Sequence, residues 1–132
     1  MTDQGTPARV VVADDDADIR ALVAIAMRRA GIELVGEAAA GDAALELVRT
    51  HRPEIVILDV SMPGMTGLEV TRELRADSAL DGIRVFLLSA GVTEAAIQAG
   101  RDAGADEYLI KPFSPRELAV RISEAIAAWA KE

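Results

Sequence analysis

Five short apolar runs, each followed by a stretch of helical periodicity, constrain this chain more than any other feature. Arg9-Val-Val-Val-Ala13 is the first, Glu54-Ile-Val-Ile-Leu-Asp59 the clearest, and Arg84-Val-Phe-Leu-Leu-Ser89 follows the same pattern. Ile32–Ala38 and Ala105–Ile110 complete the set. Runs this short, apolar on successive residues, predict strands buried on both faces, as in a parallel sheet. Between them, Ile19, Leu22, Val23, Ala26 and Ala30 recur at helical spacing, as do Ala43, Ala44, Leu47 and Val48. Further helices are predicted over about 66–75, 93–103 and 115–131, the last with Leu118, Ile122, Ile126 and Trp129 on one stripe. Asp16 suits an N-cap, Gly31 and Gly104 suit helix ends, Pro53 stops the second helix, and Pro115 fits a first turn. The repeated strand–helix order predicts one α/β domain, a parallel sheet with right-handed crossovers and helices on both faces. Residues 1–7 read as a flexible N-terminal tail and residues 8–131 as the domain.

Composition narrows the chemistry. A chain of 132 residues, 51% hydrophobic, can bury such a core unaided. Cysteine is absent, which removes disulfides, thiolate metal sites and thiol nucleophiles. His51 is the single histidine, placed near the end of the second helix, where a surface or helix-capping role is expected. A formal charge of −8 argues against direct nucleic-acid binding, and four aromatic residues are too few for a base-stacking platform. No apolar run reaches the roughly 18–20 residues of a membrane span, and Met1–Pro7 lacks the apolar segment of a secretory signal. A cytoplasmic domain with no membrane association is expected.

Open parallel sheets bind ligands beyond the carboxyl ends of their strands. The first strand ends on Asp14 and Asp15, the third on Asp59, the fourth on Ser89 and the fifth on Lys111, while the second delivers no polar group. Taken singly, each residue has an ordinary reading: acidic residues after strands cap helices, and a lysine before proline lies at the surface. Jointly they place complementary chemistry on one rim. With the first and third strands adjacent, three carboxylates converge, and a hard divalent cation such as Mg2+ relieves their repulsion. A carboxylate nucleophile, a cation, an ammonium and a hydroxyl suit phosphoryl transfer onto an aspartate.

Four motifs, Val12-Ala-Asp-Asp-Asp16, Leu58-Asp-Val-Ser-Met-Pro-Gly64 with Gly67, Leu88-Ser-Ala90 and Lys111-Pro-Phe113, resemble the receiver domain of two-component response regulators over residues 8–130. The resemblance implies a flavodoxin-like, doubly wound five-stranded sheet of order 2-1-3-4-5 with five helices. It implies Asp59 as phosphoacceptor, with Mg2+ held by Asp14, Asp15, Asp59 and the backbone carbonyl of Ser61. Asp15 would be the more direct ligand and Asp14 would act through water. It further implies Lys111 and the Ala90 amide on the phosphate, Ser89 as the switching hydroxyl, Tyr108 as the switch aromatic and a cis Lys111–Pro112 peptide. The implied donor is a sensor histidine kinase or histidine phosphotransfer protein. The implied readout is a changed surface of the fourth helix, fifth strand and fifth helix, which also offers a dimer contact and controls a downstream output protein or domain. Such a module is a switch rather than a turnover enzyme. The competing class is a Mg2+-dependent phosphatase with an aspartate nucleophile. Those enzymes place a second Asp two residues after the first, where this chain has Ser61. A flavin carrier on the same fold is disfavoured, because three aspartates after the first strand would repel the flavin phosphate.

Overall fold

The computed structural model describes residues 8–91 and 93–131. The proposed tail, residues 1–7, lies outside the described residues. In chain order the elements are β1 (Arg9–Ala13), α1 (Ala17–Ala30), β2 (Glu33–Ala38), α2 (Gly41–His51), β3 (Ile55–Asp59), α3 (Gly67–Ala76), β4 (Arg84–Ser89), α4 (Glu94–Ala103), β5 (Glu107–Ile110) and α5 (Pro115–Trp129). The five strands form one sheet in the order β2-β1-β3-β4-β5, and every pairing is parallel.

The runs of β1, β3 and β4 are buried on both faces because alternate residues feed two cores, whereas β2 and β5, at the sheet edges, are only partly covered. Val10, Val12, Ile55, Ile57, Phe86 and Leu88 pack with Val23, Met27, Leu118 and Ile122 of α1 and α5. Val11, Ala13, Val56, Leu58, Val85 and Leu87 pack with Ala44, Leu45, Val48, Val70 and Leu74 of α2 and α3. This period-2 division is what a pleated strand requires when both of its faces are covered.

Local chemistry fixes the helix ends. The Asp16 side chain accepts from the Asp18 N–H and caps α1, and Gly31 ends it at φ 72. Thr66 with Glu69, and Ser114 with Glu117, form reciprocal capping boxes at α3 and α5. Three details correct the sequence reading. On α2 the buried face is Gly41, Ala44, Leu45 and Val48, while Ala43 is exposed. That set follows i, i+3, i+4, i+7, which Ala43 does not share. On α1, Met27 fills the core while Ile19, Leu22 and Ala30 are only partly buried. Finally, β5 starts at Glu107 rather than Ala105. The Ala105 N–H donates to the Gly100 carbonyl, closing the end of α4 instead of extending the ladder.

Trp129 sits half-buried at the edge of the first core, with the Arg84 guanidinium 5.1 Å from its ring centroid. His51 ends α2, half-buried, and its carbonyl accepts from Arg9 Nη1 at 2.8 Å. No helix among the described residues is long and apolar enough to cross a membrane.

Candidate functional site

The sheet order brings β1 and β3 side by side, with Ala13 level with Leu58, so Asp14 and Asp59 leave the sheet together. Asp14 is completely buried and Asp59 nearly so, whereas Asp15 is exposed. Ligand atoms of Asp14, Asp15 and Asp59 all lie within 4.8 Å of one another. The acidic rim expected from the strand ends is therefore assembled.

Each atom of Asp14 has a designated neighbour. Its N–H donates to the Ala38 carbonyl of β2 at 3.0 Å. Its Oδ1 accepts from the Asp16 N–H at 2.9 Å, and its carbonyl accepts from Arg20 Nη1 at 2.7 Å. Its Oδ2 faces Lys111 Nζ at 2.7 Å. That contact is an ion pair by distance, but its angle leaves the buried Oδ2 without a well-directed hydrogen bond. Lys111 Nζ also stands 3.2 Å from Asp59 Oδ1, which receives a long contact from the Ser61 N–H at 3.4 Å.

The loop after β3 is shaped around Asp59. Gly64 adopts φ 75, a conformation that favours glycine. At Gly67 a Cβ would overlap the Asp59 carbonyl oxygen, so α3 can start this close to the acid only without a side chain.

On the other flank, Ser89 ends β4, one residue beyond Leu88, the register partner of Asp59. Its buried Oγ accepts from the Gly91 N–H at 3.0 Å, so the hydroxyl is engaged within its own loop. Ala90 follows it and is exposed. The Lys111 N–H donates to the Ser89 carbonyl at 2.8 Å, and the Lys111–Pro112 peptide is cis, as expected. Tyr108 is half-buried on β5, and its hydroxyl donates to the Gly91 carbonyl at 3.1 Å. Ser89 and Tyr108 thus hold the same short loop from two sides.

Electrostatics follow from this crowding. Burial, and then the neighbouring Asp14 charge, raise the Asp59 carboxyl above its usual 3.8; Lys111 and the Ser61 amide offset this only in part. For Lys111, burial works against the charged form, but the contact with Asp14 and the charges of Asp59 and Asp14 outweigh it. The ammonium is held above its usual 10.5. Negative charge is therefore in excess at the rim. A set of carboxylate oxygens, one of them buried without a directed hydrogen bond, fits a hard divalent cation.

The model of the response regulator receiver domain family matches residues 10–123. This chain belongs to that family. Among curated relatives, the DNA-binding response regulator MtrA of Mycobacterium tuberculosis is 40% identical over 116 residues, covering 86% of this chain and 48% of MtrA. The transcriptional regulatory protein PdtaR of the same species is 38% identical over 127 residues, covering 96% of this chain and 60% of PdtaR. The receiver domain here thus spans about half the length of MtrA. Two solved structures are similar along almost their whole length. The signal receiver domain of the response regulator NarL from M. tuberculosis superposes with a TM-score of 0.83 at 36% identity, covering 95% of this chain and 97% of that one. The chemotaxis response regulator CheY4 of Vibrio cholerae gives 0.84 at 33% identity, covering 90% and 98%.

Sequence reasoning gave no role to Arg20, which reaches the loop carrying the acidic pair of this receiver domain. The available signal was its place four residues after the Asp16 cap, in the first turns of α1. Nor did it anticipate that Lys111 would pair with Asp14 more closely than with Asp59.

Proposed function

We propose that this receiver domain is a phosphoaspartate switch, with Asp59 accepting a phosphoryl group from a sensor histidine kinase or a histidine phosphotransfer protein. The observation that carries the reading is the convergence of Asp59 with Asp14, Asp15 and Lys111 at one end of the sheet. Asp14, Asp15, Asp59 and the Ser61 carbonyl are the residues that would hold Mg2+, which when bound neutralises charge on the transferring phosphoryl oxygens. Asp59 supplies the attacking oxygen, and a P–O bond replaces the P–N bond of the donor. Lys111 is placed to exchange its pairing with Asp59 for one with the phosphoryl oxygens. Ser89 breaks its hydrogen bond to Gly91 to donate to the same group, together with the Ala90 amide. Because Tyr108 binds the Gly91 carbonyl, movement of that loop reaches β5 and the α4–β5–α5 face.

That face is the surface through which a downstream output protein or domain, or a second copy, would sense the change. MtrA is a DNA-binding response regulator, and an output of that kind is in keeping with the present chain, with residues 8–131 as the receiver unit acting in the cytoplasm. A phosphatase reading is less well supported, since Ser61 occupies the position where an acid–base carboxylate would be needed.

The test is incubation with acetyl phosphate and analysis by intact mass. A gain of one phosphoryl group, about 80 Da, is expected with Mg2+ and none with EDTA. Labelling indifferent to Mg2+ would contradict the assignment of the acidic cluster as a metal site.

A further inference from the structure

Arg20 is the one basic side chain of α1 that reaches the acidic loop. Its Nη1 donates to the Asp14 carbonyl at 2.7 Å, and its Nε pairs with Glu37 Oε1 of β2 at 3.4 Å. The arginine side chain is 22% exposed. The carbonyl it grips belongs to the peptide joining Asp14 to Asp15. Asp14 is fixed at four points, by Ala38, Asp16, Lys111 and Arg20. Asp15 is exposed, so the direction of its carboxylate depends on the orientation of that peptide.

We infer that Arg20 is a positioning residue for the metal site: by holding the Asp14–Asp15 peptide against the end of β2, it aims the Asp15 carboxylate at the cluster formed with Asp14 and Asp59. This deepens the proposed function and rests on it. A fixed donor beneath a metal-binding group preserves its geometry, and losing such a support typically weakens metal binding roughly 10–100-fold. The guanidinium is suited to the task because its fork reaches the carbonyl and the Glu37 carboxylate together.

Charge and positioning predict opposite signs. Arg20 places a positive charge near a cation site, so removing the charge alone would tighten Mg2+ binding. Removing a support for the Asp15 peptide would weaken it. Mg2+ binding to the full chain is measured by calorimetry for wild type, Arg20→Ala and Arg20→Lys. Amide shifts of Asp15 and Asp16 are recorded without metal, and thermal melts confirm folding. About tenfold weaker binding in Arg20→Ala is expected, with a smaller loss in Arg20→Lys and displaced Asp15 and Asp16 amides before any metal is added. Unchanged or tighter binding in a folded Arg20→Ala overturns the inference. If Arg20→Ala does not fold, Arg20→Lys decides, because it keeps the charge and loses the fork: binding equal to wild type overturns the inference. A wild type that binds no Mg2+ overturns the functional reading itself, a result separate from either variant's.

Discussion

Asp59 is nearly buried and stands beside the Asp14 carboxylate. Its carboxyl titrates above the usual 3.8 because burial and Asp14 disfavour the charged form. The folded protein therefore holds this proton more tightly than the unfolded chain, and ionising Asp59 costs stability. That cost is absent below about pH 3.8 and fully present above the raised folded value. In metal-free protein, Asp59→Asn should melt above wild type at pH 7. The gap should close as the pH falls through the folded value toward 3.8. A gap that widens on acidification would mean that Lys111 pairing, not burial, dominates the site. The two acids of the β1–α1 loop should also differ. Asp15 is exposed and free to coordinate directly, whereas Asp14 is buried and already faces Lys111. Calorimetry should show Asp15→Ala weakening Mg2+ binding by roughly tenfold or more, and Asp14→Ala by less. Equal losses would remove the distinction. Every one of these acids was legible in the sequence, because each closes an apolar run. The pairing of Asp14 and Asp59 with Lys111 was not, because it depends on where a side chain just beyond β5 comes to rest across β3 and β4.

Among the elements, the helices announce their starts more clearly than the strands do. Ser114 caps α5 through the Glu117 N–H at 3.0 Å, far from the acidic cluster in sequence, and Glu117 returns a bond to the Ser114 N–H. Ser114→Ala should therefore lower stability by about 1 kcal/mol in denaturant unfolding, leaving Mg2+ affinity unchanged. A loss of affinity would show that α5 and the site are coupled more tightly than their contacts indicate. The Asp16 cap of α1 was readable because it is local, its side chain accepting from the Asp18 N–H two residues on. The beginning of β5 was not, because nothing local in Ala105-Asp-Glu107 marks where the run through Tyr108, Leu109 and Ile110 starts to pair. The hydrogen bonds of that corner are decided by distant groups. The Asp106 N–H donates to Val85, and its carboxylate takes Arg75 Nη2, Arg84 Nη1 and the Val85 N–H. Likewise Ala43 and Leu45 of α2 are both apolar, and only the packing of α2 on the sheet separates them.

For the whole molecule, the parallel sheet places all its polar strand ends on one rim, and the adjacency of β1 and β3 makes that rim a site. The strand count and the α/β class followed from the pattern of runs, but the order of strands came from the family resemblance, since no run encodes its neighbour. In the proposed switch the rim communicates with α4, β5 and α5, and Lys111, whose N–H donates to the Ser89 carbonyl, joins the loops after β4 and β5. Beryllofluoride with Mg2+ should shift the amides of Ser89–Gly100 and Tyr108 in wild type and much less in Lys111→Ala. Similar shifts in both proteins would make Lys111 a charge-balancing residue only. The account as a whole depends on one atom set, the carboxylate of Asp59. Acetyl phosphate and Mg2+ should add one phosphoryl group, about 80 Da, to wild type and nothing to Asp59→Asn, with the label mapped to the peptide containing residue 59. A folded Asp59→Asn that still acquires the group would contradict the assignment of Asp59 as phosphoacceptor.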